Sequence, residues 1–136
     1  MTAPAVTGTA TDHDAIVRVV HLYTAGFGKG DPGMFAEAFH PDAWIFFVTP
    51  DGQLAKGLLL DCFEEWATPP DGQVEGRVIS VTQAGDVANV VLDFDSPAGP
   101  GESWLDLHNL IRIDGLWKIT NKTATHSSRS GGVWSA

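Results

Sequence analysis

The stretch ESWLDLHNLIRIDGLWKITNKTAT, residues 102–125, constrains the fold more than any other part of the chain. Apolar and polar residues alternate on either side of Asp114-Gly115, a pair suited to the two-residue turn of a β-hairpin. Two more strands, at about 74–83 and 86–95, come just before it, joined by Gly85-Asp86 and separated from it by the SPAGPG loop. Such a run of antiparallel strands forms a sheet, and the preceding residues must cover one of its faces.

Those residues are mostly helical. Ile16, Val19, Val20, Tyr23 and Phe27 recur at three- and four-residue steps, an amphipathic helix that Thr11, Asp12 and Asp14 open and GFGKGDPG stops. Asp31 before Pro32 is an N-cap with proline in the first turn, starting a short helix through Met34, Phe35, Ala38 and Phe39 that ends near Pro41. AWIFFVTPDGQLAKG is a hairpin turning at Asp51-Gly52, and LLLDCFEEWA is a third helix closed by Pro69-Pro70. The expected class is α+β, with three N-terminal helices packed on one face of a strongly curved, mainly antiparallel sheet that wraps a conical cavity. Residues 1–10 read as a loose leader, 11–126 as a single domain, and 127–136 as a tail that is flexible apart from Trp134.

At 136 residues the chain supports one core, and five Trp and seven Phe suit a cavity lined with aromatic rings. Eight basic residues, scattered singly among seventeen acidic ones, give a formal net charge of -9, which repels nucleic acid and anionic membranes. The lone Cys62 has no disulfide partner within the chain, and neither a spanning segment nor a secretory start is visible, so the cytoplasm is the expected location.

In the last hairpin Asp106 and His108 lie two residues apart and share a face. With a regular two-residue turn, His108 pairs with Asn121, Asp106 with Thr123 and Trp104 with Thr125. One face then carries Trp104, Asp106, His108, Leu110, Trp117, Ile119, Asn121 and Thr123, the mixture of aromatic and hydrogen-bonding groups that lines small-molecule pockets. The other carries Leu105, Leu107, Asn109, Ile111, Lys118, Thr120 and Lys122 and suits a subunit contact; a one-residue bulge exchanges the two faces.

Burial in an apolar cone raises a carboxyl pKa, which fits Asp106 for acid-base work with His108 as its proton-shuttling neighbour. Tyr23, on the apolar stripe of the first helix, turns its hydroxyl toward the cavity. Phe27, Phe39, Trp44, Phe46, Phe63 and Trp66 are core residues and candidate ligand walls, while Asp93 and Asp95 are expected in solvent. His40 is expected to close the second helix, and His126 to point away from Asp106. His13 and His21 stand eight residues apart, too far for a helical metal pair, and no Cys or His cluster has ligand spacing. Phosphate loops in strand-turn-helix context and Gly-x-Ser-x-Gly elbows are missing, and Cys62 is expected to be a buried, inert thiol.

GDPGMFAEAFHPDA, the PDGQL hairpin and LHNLIRIDGLWKITNKT together resemble the NTF2-like (SnoaL-like) superfamily, in its "putative lumazine-binding" branch, over roughly residues 12–126. The resemblance implies a cone-shaped α+β fold and a homodimer formed through the sheet. It also implies catalysis, where present, by Asp, His and Tyr in the cone without metal or organic cofactor. Leu107 and His108 depart from the branch's pattern of an aromatic followed by an apolar residue. The expected function is a cofactor-free isomerase, cyclase or dehydratase acting on a mostly apolar, polycyclic or aromatic metabolite. Asp106, His108 and Tyr23 are its catalytic groups, Asn121 and Thr123 its polarising ones, and Trp104, Phe27, Phe39, Trp44, Phe63 and Trp66 its walls. A binding protein using the same pocket, or a dimeric accessory subunit docking through Trp134, is the alternative.

Overall fold

A computed structural model describes residues 10–49, 51–66, 70, 72–96 and 102–126. In chain order the elements are α1 (Ala10–Lys29), α2 (Pro32–Ala38), β1 (Phe39–Val48), β2 (Leu54–Leu58), α3 (Leu59–Trp66), β3 (Glu75–Ala84), β4 (Val87–Ser96), β5 (Glu102–Ile113) and β6 (Leu116–His126). The expected leader apart from Ala10, most of the SPAGPG loop, the tail with Trp134, and the side chains of Phe63 and Trp66 lie outside the described residues.

The strands form one six-stranded sheet in the order β2-β1-β6-β5-β4-β3. All neighbours are antiparallel except β1 and β6, which run parallel because the chain leaves the first hairpin and returns only after β3, β4 and β5. Irregular register between Phe39 and Trp44, Val78 and Ser80, and Asn109 and Leu110 adds local bends of the kind that curl a sheet.

Helix α1 buries Ile16, Val19, Val20 and Tyr23 against the concave face, joined there by Ala88, Val90, Leu92, Phe94, Leu110, Trp117 and Ile119 from the sheet. Asp31 caps α2 as the sequence indicates, its carboxylate accepting hydrogen bonds from the Gly33 and Met34 amides at 2.9 and 3.3 Å. The tight α1–α2 corner depends on Gly26, since a Cβ there would stand 2.9 Å from the backbone nitrogen of Phe35. Helix α2 stops at Ala38, where the Phe39 amide donates to Phe35 O, and His40 Nδ1 accepts from the Asp42 amide in the strand that follows.

The closing turn of the hairpin places Asp114 at φ 52° and Gly115 at φ 78°, the paired positive values of a type I′ turn. From there Ile113 faces Leu116 and Leu110 faces Ile119, but the next pair is Asn109 with Asn121. Thr120 is the extra residue of a bulge, its hydroxyl donating to Asn109 O at 3.3 Å. Beyond it every β6 side chain changes face: His108 pairs with Lys122, Asp106 with Ala124 and Trp104 with His126.

Candidate functional site

The bulge corrects several expected positions. Asn121 and Thr123 lie on the convex face: Asn121 accepts from Asn109 Nδ2 at 3.2 Å and donates to Trp44 O at 3.4 Å, and Thr123 is exposed. Neither enters the cone. Trp44 is 40% exposed and stacked beside Phe46 on that same convex face, while Ile45 and Phe47 point inward. The sequence WIFFV is apolar on both faces, so alternation alone carried no phase for it. His126, expected to point away from Asp106, shares its face instead and packs at a tilt on Trp104, 3.7 Å between ring centroids.

Asp93 is corrected as well, for it is buried rather than solvated. Arg77 reaches over it and its neighbour, meeting Asp93 at 2.9 Å and Asp95 at 3.0 Å, and an apolar neighbourhood is tolerable for a carboxylate so paired. Cys62 is half-buried beside the core. Among the described residues no group of three or more His, Cys, Asp or Glu is placed to hold a metal ion.

Inside the cone four polar side chains meet. Tyr23 comes from the buried stripe of α1, Asp106 and His108 from successive inward positions of β5, and Lys122 from the first inward position of β6 after the bulge. Lys122 Nζ donates to Tyr23 Oη at 2.7 Å and pairs with Asp106 Oδ2 at 3.2 Å. His108 Nε2 lies 3.5 Å from that same Asp106 oxygen, a long contact. All four are at most 4% exposed. Phe39 and Phe94 pack on Tyr23 from the core at 5.5 and 5.3 Å, and Phe27 closes edge-on against both Tyr23 and Phe94. Trp104, half-buried, continues the wall beyond Asp106 next to Phe47.

Electrostatics reverse the expectation for Asp106. Burial pushes its pKa up, but the Lys122 ammonium and the His108 ring outweigh that, and the carboxyl sits below its ordinary value. His108 is also held low, chiefly because burial disfavours the imidazolium and only partly offset by Asp106. Tyr23 is raised well above the ordinary phenol value by burial and by the Asp106 charge, so it keeps its proton. The cluster at neutral pH is therefore carboxylate, neutral imidazole and phenol beside the lysine. An ionised carboxylate only accepts hydrogen bonds, so His108 carries its hydrogen on Nε2 and presents a lone pair at Nδ1. Neither His108 Nδ1 nor Asp106 Oδ1 has a hydrogen-bond partner among the described residues.

These shifts set the acid stability. Both folded-state values lie below the unfolded ones, so both groups stabilise fully above the unfolded pKa and lose that contribution as pH falls toward the folded value. The melting temperature should decline first below the ordinary histidine pKa of about 6.5, and again below the ordinary aspartate value of about 3.9. His108→Gln should flatten the first decline and leave the Lys122-dependent part of the second; differential scanning calorimetry across this range checks it, and an unchanged first decline contradicts a buried neutral His108.

The family model described as "Putative lumazine-binding" matches residues 11–124. The chain belongs to this family. Among characterised proteins it is similar to the aldolase FrzH of Cladobotryum sp, 25% identical over 117 residues that make up 84% of this chain and 90% of FrzH. Among solved structures it resembles an NTF2-like protein of unknown function from Shewanella baltica OS155, with a TM-score of 0.80 at 25% identity over 90% of this chain and 98% of that one. A second NTF2-like protein of unknown function, from Methylobacillus flagellatus KT, aligns with a TM-score of 0.79 at 26% identity over 91% and 98% of the two chains. The fold is thus NTF2-like, and family and fold together support a small-molecule-binding or enzymatic role. No helix among the described residues is long and apolar enough to cross a membrane.

Of the residues expected at the site, Tyr23, Asp106 and His108 come together, with Phe27, Phe39 and Trp104 around them. Lys122 is the member that sequence reasoning placed on the wrong face. The only trace it leaves in the sequence is the loss of alternation after Ile119 in TNKTATH, where polar residues and alanine replace the apolar rhythm.

Proposed function

We propose that this protein is an enzyme that transfers protons on a mostly apolar carbonyl compound, with His108 as the base. The observation that carries the proposal is the buried His108 Nδ1, without a partner among the described residues, in a ring kept neutral by burial and held in one tautomer by Asp106. Compared with the expected assignment, base and helper exchange roles: Asp106, already tied to Lys122, orients the ring and stabilises the imidazolium that forms.

Isomerisation, dehydration, aldol addition and cyclisation of carbonyl compounds share one intermediate, the enolate formed when a proton leaves the carbon next to the carbonyl. A base and a donor for the enolate oxygen suffice for it, so no metal or organic cofactor enters the reading. Tyr23 keeps its proton and is that donor, with Lys122 bonded to its oxygen. The similarity to an aldolase agrees with this chemistry, and the aromatic surround of Phe27, Phe39, Phe94 and Trp104 suits a flat, apolar substrate body.

The test is to screen aromatic and polycyclic ketones by thermal shift, and to follow the hits in deuterated water by NMR. Hits should exchange the hydrogen on the carbon beside the carbonyl at an enzyme-dependent rate. Stabilisation without exchange or product overturns the catalytic reading and leaves a binding protein.

The same reading includes a homodimer through the convex face. Trp44 and Leu107, 40% and 41% exposed, lie there beside the uncharged Asn109, Asn121 and Thr123, a patch of low charge on a chain of net charge -9. Sedimentation equilibrium should give twice the chain mass and Leu107→Glu should halve it; a monomeric wild type at micromolar concentration removes the dimer.

A further inference from the structure

Lys122 occupies a place that an ion pair alone does not explain. A lysine amine is costly to bury, and this one stands between a carboxylate 3.2 Å away and a phenol oxygen 2.7 Å away. Two acceptors without partners among the described residues, Asp106 Oδ1 and His108 Nδ1, belong to the same cluster. Amine, proton acceptor, proton donor and a second base in one buried cluster walled by aromatic rings are the parts that imine chemistry requires.

We propose that Lys122 is a nucleophile that condenses with the carbonyl carbon of an aldehyde or ketone substrate to form a protonated imine. The inference rests on the proton-transfer reading above and narrows it to a covalent route. The Lys122 ammonium passes a proton to the Asp106 carboxylate, and the neutral amine adds to the carbonyl carbon. The C–N bond forms as the carbonyl π pair moves to oxygen, which takes the Tyr23 proton. The added nitrogen, now cationic, returns a proton to the Tyr23 oxygen. The hydroxyl then leaves as water with the proton held by Asp106, and the nitrogen lone pair closes the C=N bond. The net change is ammonium plus carbonyl giving iminium plus water, with Asp106 and Tyr23 restored. His108 Nδ1 next removes the proton from the adjacent carbon, giving an enamine, the neutral counterpart of the enolate, and hydrolysis reverses the linkage after reaction.

The experiment uses the whole chain with benzaldehyde and sodium cyanoborohydride, which reduces an imine to a stable secondary amine, followed by peptide mapping. Lys122 is buried whereas Lys29 and Lys56 are exposed, so ordinary surface chemistry labels those two first. The proposal expects the benzyl group on Lys122 at about tenfold or greater occupancy over Lys29 and Lys56, with slower labelling of Lys122 in Asp106→Asn. Lys122→Arg keeps a cation beside Asp106 but has no amine able to form an imine, and should lose catalysed hydrogen exchange while keeping its fold by circular dichroism. Labelling of Lys29 and Lys56 without Lys122 overturns the proposal. Should hydrogen exchange persist in that case, or in Lys122→Arg, the proton-transfer reading stands and only the covalent step fails; absence of exchange in the wild type removes that reading separately.

Discussion

His108→Gln should reduce turnover, or catalysed hydrogen exchange, by about 10²- to 10⁴-fold while ligands still raise the melting temperature as in the wild type. Glutamine can keep a hydrogen bond to Asp106 but offers no basic nitrogen where Nδ1 stands. Asp106→Asn tests the division of labour. If His108 is the base, Asp106→Asn slows the reaction through loss of ring orientation and imidazolium stabilisation, and the double variant is hardly slower than His108→Gln, because groups acting as a unit do not contribute additively. A rate within about tenfold of wild type in His108→Gln, with Asp106→Asn inactive, would return the base to Asp106. Steady-state kinetics on the three variants decide between the assignments.

The second large effect concerns stability. Lys122→Met should cost about 3–5 kcal/mol, because it leaves the Asp106 carboxylate buried with its ammonium partner gone. Methionine fills a similar volume, so the loss reports charge rather than packing. Without Lys122 the burial that already pushes Asp106 upward has less to oppose it, and the carboxyl pKa rises. Protonation then removes the buried charge, so the deficit relative to wild type should shrink as the pH is lowered. Adding Asp106→Asn to Lys122→Met should recover part of the loss, since both ends of the pair are then uncharged. Urea denaturation of the single and double variants over a pH series measures all three quantities. A deficit below about 1 kcal/mol, or one that ignores pH, would show that the pair does not govern the site.

Much of this architecture is legible in the sequence. Tyr23 was legible because Ile16, Val19 and Val20 fix the buried stripe of α1 at helical spacing. Asp106 and His108 were legible because strand residues two apart share a face whatever the register. Lys122 was not, since its direction depends on a count of residues between the turn and itself, and an added bulge residue leaves no mark in local propensity. Trp44 failed for a related reason: a strand apolar on both sides gives no preference for either. The parallel pairing of β1 with β6 was also hidden, because it joins segments far apart in sequence and no turn residue announces it. The sign of the Asp106 shift followed from the Lys122 error, as burial without a nearby cation predicts the opposite direction.

Thr120 bonds to Asn109 O rather than to the cluster, yet the bulge it forms determines which of two chemistries the cone holds. With the bulge, an amine faces the carboxylate; paired regularly without it, the same strand would put the amide of Asn121 and the hydroxyl of Thr123 there and turn the amine outward, whereas a strand lacking Thr120 would keep Lys122 opposite His108 with no bulge at all. Within such a scaffold, formation or loss of a single bulge in the last strand is a route between an ionic and a neutral interior. Relatives are therefore better compared by the cross-strand register between the Asp-Gly turn and this lysine than by aligned identity.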